Sequence, residues 1–204
     1  MSSEGSRPVV LRSKLAAAFP SLSVEQLDLF TRYYELVLKW NGRLHLTTLI
    51  EPDQFLERHI AEVFSGVDLV DQEVAVVWDL GSGLGVPGVP MKILRPDLEV
   101  VLVESSRKKA VFLETVISEL GLKRCLVACR RIEELPPPPA DALITARAVE
   151  QMEHLLPLIG KLAQTARQAI LFISVDYGQR LPGATLYQLP GARHRCVAVL
   201  KCST

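Results

Sequence analysis

At 204 residues, 49% hydrophobic and 23% charged, the chain is long enough to bury a sizeable core and too apolar to stay unfolded. Its 23 Lys/Arg balance 23 Asp/Glu, which excludes a global basic field for nucleic acid but not a local one. It has no run of about 18 apolar residues and does not start with a basic-then-apolar signal pattern, so a soluble cytoplasmic protein is expected.

The first seventy residues read as helices. "RPVVLRSKLAAAF" is a short amphipathic segment. Ser23 and Gln26 have capping-box spacing, and Leu27, Phe30, Tyr34, Val37 and Leu38 then share one helical face. In "EPDQFLERHIAEVFSGV", Pro52 suits a first helical turn, where its missing N–H costs nothing. At "EVAVVWDLG" the pattern becomes a β-branched apolar run, as in a strand buried on both faces of a parallel sheet.

A helix to about Leu94 follows. Then come strand "LEVVLVES", helix "RKKAVFLETVISELG", strand "RCLVACR", strand "DALITAR", helix "VEQMEHLLPLIGKLAQTA" and strand "AILFIS". This alternation predicts a doubly wound α/β sheet. "ATLYQLP" and "HRCVAVLK" lie too close together for a crossover and should form an antiparallel hairpin. "LPPPPAD" reads as a stiff spacer. Of four cysteines, Cys125 and Cys129 would sit about 13 Å apart on a strand. That is too far to share one zinc ion, so no metal is expected and buried reduced thiols are.

The loop "GSGLGVPG" ends the first strand. Ligands of parallel sheets bind at that edge, and glycines let backbone N–H groups approach them. Val86 breaks the G-x-G-x-x-G pattern of dinucleotide folds that Gly81 and Gly83 begin. Asp79, two residues before Gly81, gives a D-x-G-x-G arrangement that resembles motif I of class I S-adenosylmethionine methyltransferases. An acid at the strand tip would favour that cofactor's sulfonium and amino groups, although a helix-capping aspartate is the other reading. Glu104 ends the second strand, where an acid can accept from ribose hydroxyls. Ile132 and Glu133, after the third strand, are candidates for the adenine. From Glu104 to Arg131 seven Lys/Arg stand against three Glu, a local basic stretch.

"YYELVLKWNGRLHLTT", "ERHI", "DLGSGLGVPGVPMKILRPDLEVVLVESSRKKAVFL" and "ITARAV" occur in this order. Together they resemble the glucose-inhibited division protein B (RsmG/GidB) family, guanine-N7 methyltransferases of small-subunit (16S) ribosomal RNA. The resemblance runs from about Tyr33 to Glu150. It implies a class I methyltransferase (Rossmann-like) sheet of seven strands with an N-terminal helical extension and a C-terminal antiparallel hairpin. Residues 1–70 would pack as a helical segment on an S-adenosylmethionine-binding domain, 71–204.

Gly81, Gly83, Pro87 and Gly88 match the family loop, and Arg147 its "RA" motif. Trp40, Asn41 and Thr47 match "WN…LT", Arg58 and His59 match "RH", and Lys108 and Lys109 match the paired lysines. The resemblance places Asp79, Gly81, Gly83, Val86, Pro87, Glu104, Ile132, Glu133 and Arg147 at the cofactor. Lys108, Lys109, Asn41, Arg58 and His59, which match the family motifs, and Arg130 and Arg131 of the local basic stretch are candidates toward 16S ribosomal RNA or the small subunit, in a protein read as a monomer. There are departures. The family usually has Asn at His45, Asp-Ser where this chain reads Ala61-Glu62-Val63, and Leu-Lys-Gly where it reads "FISVDYG".

Guanine N7 carries no proton, so no catalytic base is expected and the task is alignment. Arg147 is the candidate for positioning the base, with an ion pair to an acid such as Glu150 as its structural alternative. His59 reads as a link between the helical segment and the sheet. Two other functions stay open: an S-adenosylmethionine-binding assembly or sensor protein without methyl transfer, and a small-molecule methyltransferase.

Overall fold

The computed structural model describes residues 6–147 and 152–201. The expected helix start at Val149, Glu150 and Cys202 lie outside the described residues.

Helices α1 (Ser6–Ala18) and α2 (Val24–Leu44) form an antechamber to the sheet. The capping box at α2 is present in both directions: Gln26 N–H donates to Ser23 Oγ at 3.1 Å, and Ser23 N–H to Gln26 Oε1 at 3.0 Å. The buried face is Leu27, Phe30, Tyr33, Tyr34 and Val37; Leu38 is only half-buried, and Tyr33 joins a stripe that periodicity had assigned without it. The helix stops at His45, whose φ of 48° is left-handed. Asn tolerates that conformation better than most residues, which accounts physically for the Asn that the resemblance led one to expect there.

The span expected as one helix from Pro52 is interrupted by a segment of different pitch. Helix α3 (Pro52–Phe55) passes into a π turn (Leu56–Ala61) and then α4 (Glu62–Val67). Single π turns inside helices carry one residue more than the α pitch holds.

Strands β1 (Val76–Leu80), β2 (Glu99–Val103), β3 (Cys125–Ala128), β4 (Ala142–Arg147), β5 (Gln168–Ser174), β6 (Thr185–Gln188) and β7 (Arg195–Lys201) make one sheet in the order 3-2-1-4-5-7-6. Helices α5 (Gly88–Leu94), α6 (Arg107–Leu120), α7 (Met152–Ala163) and α8 (Val175–Gln179) follow β1, β2, β4 and β5. Strand β7 runs antiparallel to both β5 and β6, so the expected seven-stranded doubly wound sheet and its terminal hairpin are both present.

Successive strand residues face opposite sides, and each side has its own core. Val77, Val100, Leu102, Leu143 and Ile170 pack with Phe30, Tyr33, Met91 and Phe112. Trp78, Leu80, Val103, Ile144 and Leu171 pack with Ile159 and Leu162. The N-terminal helices therefore share a continuous core with one face of the sheet. Strand β3 ends before Cys129, which is exposed; among the described cysteines Cys125 is half-buried and Cys196 alone is buried, so the expectation of buried thiols fails at Cys129.

Candidate functional site: a cleft with two unlike walls

The switch from β3-β2-β1 to β4-β5 leaves a crevice at the carboxyl edge of the sheet, where open α/β sheets bind ligands. A cleft of about 750 Å³ occupies it. A larger, more apolar hollow of about 950 Å³ lies between α7, α8 and the end of β7, but none of the sequence-selected residues line it.

One wall is built by backbone. Gly81, Gly83 and Gly85 have φ of 68°, 58° and 97°, so the loop between β1 and α5 turns through conformations that side chains disfavour. A Cβ at Gly83 would meet only Gly81 O at 3.8 Å, so that face stands open. Ser82 N–H donates to Val103 O at 3.0 Å and Gly85 N–H to Ser82 O at 2.7 Å. Glu104 fastens the loop: its Oε2 accepts from Gly83 N–H at 2.9 Å and its Oε1 from Ser106 N–H at 2.7 Å. A carboxylate oxygen has two lone pairs, so Glu104 keeps acceptor capacity toward the cleft it lines.

Asp79 is placed differently from its expected position. It is fully buried and does not line the cleft. Its Oδ2 accepts from Gly88 N–H at 3.1 Å, while Oδ1 has no hydrogen-bond partner. The contact is close: a Cβ at Gly88 would lie 2.8 Å from Oδ2 and 2.4 Å from Leu102 Cδ2. Burial pushes the Asp79 carboxyl up to about 7; the Ser82 and Gly88 hydrogen bonds oppose this, and the Glu104 charge adds to it. Holding the start of α5, the alternative reading of Asp79, is what the geometry provides.

Val86 lines the cleft, as do buried Ile132 and exposed Glu133 on a 3₁₀ turn. Pro87 lies behind the lining. Arg130, Arg131 and Lys109 stand at the lip, but Lys108 does not, because neighbouring helix residues point about 100° apart.

The opposite wall is built by side chains. His59, on the π turn, is buried and bridges two segments: Nε2 is 3.0 Å from Thr47 Oγ1 and Nδ1 is 2.7 Å from Arg147 Nη1. A guanidinium only donates, so Nδ1 accepts and the ring proton sits on Nε2. Burial, then the Arg147 and Arg58 charges, drives the His59 pKa down to about 3, which keeps the ring neutral. The expected structural link is thus made, through a fixed tautomer. Asn41, expected toward RNA, spends its amide on the chain itself: Nδ2 donates to Thr47 O and Oδ1 accepts from Thr47 N–H, both at 2.9 Å. It is also absent from the cleft lining.

Arg147 lines the cleft at the end of β4 with a side chain only 9% exposed. Its described acid is Glu62, with Nη2 3.5 Å from Oε2. Burial, followed by the Arg58 charge, lowers its pKa to about 10, so it remains a cation. Glu62 also faces Arg58, whose Nε lies 2.9 Å from Oε1 without hydrogen-bond alignment, and Arg195 of β7. Sequence reasoning missed Glu62, Arg195 and Tyr33. Tyr33 is fully buried and donates to Leu84 O of the glycine loop at 2.7 Å.

The sequence model of GidB, described as rRNA small subunit methyltransferase G, matches residues 26–175. The chain belongs to the GidB family. Among its relatives, the ribosomal RNA small subunit methyltransferase G of Nitrosomonas eutropha is 34% identical over 159 residues, 78% of this chain and 72% of that one. The protein of the same name from Nitrosomonas europaea is 34% identical over 175 residues, 84% and 80%. The fold is shared more widely. The METTL16 MTase domain superposes with a TM-score of 0.56 at 9% identity over 95% of this chain and 92% of that one. The 23S rRNA methyltransferase ErmE superposes with 0.54 at 11% over 70% and 67%. Membership makes the chain an rRNA methyltransferase, and the matched span contains the glycine loop, Glu104, His59 and Arg147 of the cleft.

Proposed function

We propose that the chain transfers a methyl group from S-adenosylmethionine to guanine N7 of 16S ribosomal RNA, as a cytoplasmic monomer acting on the RNA or the small subunit. The observation that carries this reading is the meeting of two features in one cleft: Gly83, open toward the cavity and fastened to Glu104, and Arg147 across from it. The residues fit the cofactor. Glu104 has spare acceptor capacity for ribose hydroxyls, Ile132 offers an apolar face to the adenine beside Glu133, and Val86 closes the loop side. Asp79 Oδ1, buried without a hydrogen-bond partner, leaves negative field beneath the loop for a cationic group.

When bound, S-adenosylmethionine supplies a methyl carbon on a positively charged sulfur. Everything else falls to the chain. N7 needs no deprotonation, and His59 is held neutral with both nitrogens engaged, so it positions rather than shuttles protons. His59 and Glu62 fix the guanidinium plane of Arg147, which is left to hold the base in line within about 3–3.5 Å of the methyl carbon. Lys109, Arg130 and Arg131 suit RNA phosphates at the lip.

Reverse-transcription mapping of 7-methylguanosine in small-subunit RNA, with and without the protein, tests the reading. A single protein-dependent 7-methylguanosine is expected. S-adenosylhomocysteine binding with no methylated product would instead favour a cofactor-binding assembly protein.

A further inference from the structure

We propose that Arg58 and Arg195, spaced by their shared carboxylate Glu62, form a phosphate-binding site at the mouth of the cleft that takes one RNA backbone phosphate beside the methylated base. The inference rests on the RNA reading above and adds a site to it. Arg58 comes from the π turn and lines the cleft. Arg195 opens β7 and pairs in register with Ser174, the last residue of β5, which puts it on the carboxyl edge of the sheet. Both side chains are partly open to solvent, at 33% and 26% exposure, whereas Glu62 is 7% exposed.

The shared carboxylate is the argument. The guanidinium groups of Arg58, Arg147 and Arg195 converge on Glu62. The second acid felt by Arg58 and Arg195 is exposed Glu57. Arg147 also faces buried Asp79, which leaves Arg58 and Arg195 as the two cations that share Glu62 with only exposed Glu57 beside it, and a phosphodiester at the mouth would give both a further anionic partner. Arg58 Nε and Arg195 Nη1 face Glu62 Oε1 as ion pairs without hydrogen-bond alignment. Each guanidinium carries five N–H donors in a planar fork. The donors left over have no acceptor among the described residues, and two forks on one carboxylate can grip a tetrahedral anion between them.

The test is the salt dependence of binding to a small-subunit RNA transcript, with S-adenosylhomocysteine calorimetry alongside. Wild type should bind RNA with a steep salt slope. Arg195→Ala should reduce that slope by about 0.7–1, the loss for one phosphate contact, and leave S-adenosylhomocysteine affinity unchanged. Arg195→Lys should keep the slope but bind less tightly, because the fork is gone. A wild-type slope and affinity in Arg195→Ala, or wild-type affinity in Arg195→Lys, overturns the site and makes Arg195 a strut between β7 and α4. If Arg195→Ala does not fold, the Arg195→Lys affinity decides alone. Failure of wild type to bind the RNA at all would sink the RNA reading rather than this site.

Discussion

The two walls of the cleft are held by different physics. On the glycine-loop wall the surface is backbone, and the side chains that fasten it, Glu104 and Asp79, lie within about 25 residues of the loop. On the other wall, one carboxylate gathers arginines from a π turn, a parallel strand end and the antiparallel strand β7, up to 133 positions away. The first wall is a local fold of the chain, stiff because the amides of Ser82, Gly83, Gly85 and Gly88 each have an acceptor. The second is an electrostatic knot in which buried Glu62 and Arg147 are costly to leave unpaired, while Arg58 and Arg195 stay partly open to solvent. Cofactor binding should therefore follow the first wall, and RNA handling the second.

The largest effect separates these roles. Arg147→Ala should slow methyl transfer on the order of 100-fold, the cost of a misplaced base, with little change in S-adenosylhomocysteine affinity. Arg147→Lys should be nearly as damaging, because an ammonium cannot bond His59 Nδ1 and face Glu62 in one plane. Single-turnover kinetics with calorimetry would read both, and full activity in either variant would dissolve the division between the walls. Glu104→Ala should give the mirror image, weakening cofactor binding by about 1.5–3 kcal/mol as a charged acceptor of Gly83 N–H is lost. RNA affinity should hold.

The walls should also respond oppositely to pH. The Asp79 pKa is raised from 3.8 to about 7, so its contribution to stability is full below about 4 and is lost as pH rises through 7. The His59 pKa is lowered from 6.5 to about 3, so its contribution is full above about 6.5 and is lost as pH falls toward 3. Urea unfolding from pH 4 to 8 should show a shallow wild-type profile between 4 and 6.5, where the two oppose. Asp79→Asn should leave the acid loss exposed, and His59→Gln should leave the alkaline loss. Parallel profiles in all three proteins would show that neither group is held as described. The smallest expected change is in Tyr33→Phe, which should cost about 0.5–1.5 kcal/mol in cofactor affinity by freeing Leu84 O, with the aromatic packing kept.

This contrast also explains what could be read from the amino-acid order. Glycine spacing, Pro-free strand runs and an acid at a strand end are local signals, so the loop, Glu104 and the hairpin closing the sheet were legible. Glu62 and Arg195 carried no such signal, since nothing in "HIAEVF" or "HRCVAV" points from one to the other. Asp79 was identified by its place in the motif, but its direction was set by how closely Gly88 lets α5 approach. Asn41 was recognised as a signature residue, while its use, clasping Thr47, needed the left-handed turn at His45 to bring the chain back. Tyr33 sits beside Tyr34 on α2 but about 100° round the helix, and only the packed structure shows that its hydroxyl reaches the loop while that of Tyr34 reaches Ile50 O.

The π turn at Leu56–Ala61 makes chain length itself part of the site. One residue there is surplus to an ordinary helical pitch, and the surplus accompanies the placing of Arg58 and His59 on the cleft while α3 and α4 keep their seats. Deleting a single residue between 56 and 61 should relax the turn into uninterrupted α-helix. Circular dichroism would then report a folded, helical protein that has lost its grip on RNA, an inactivation by bookkeeping of residues rather than by the chemistry of any one of them.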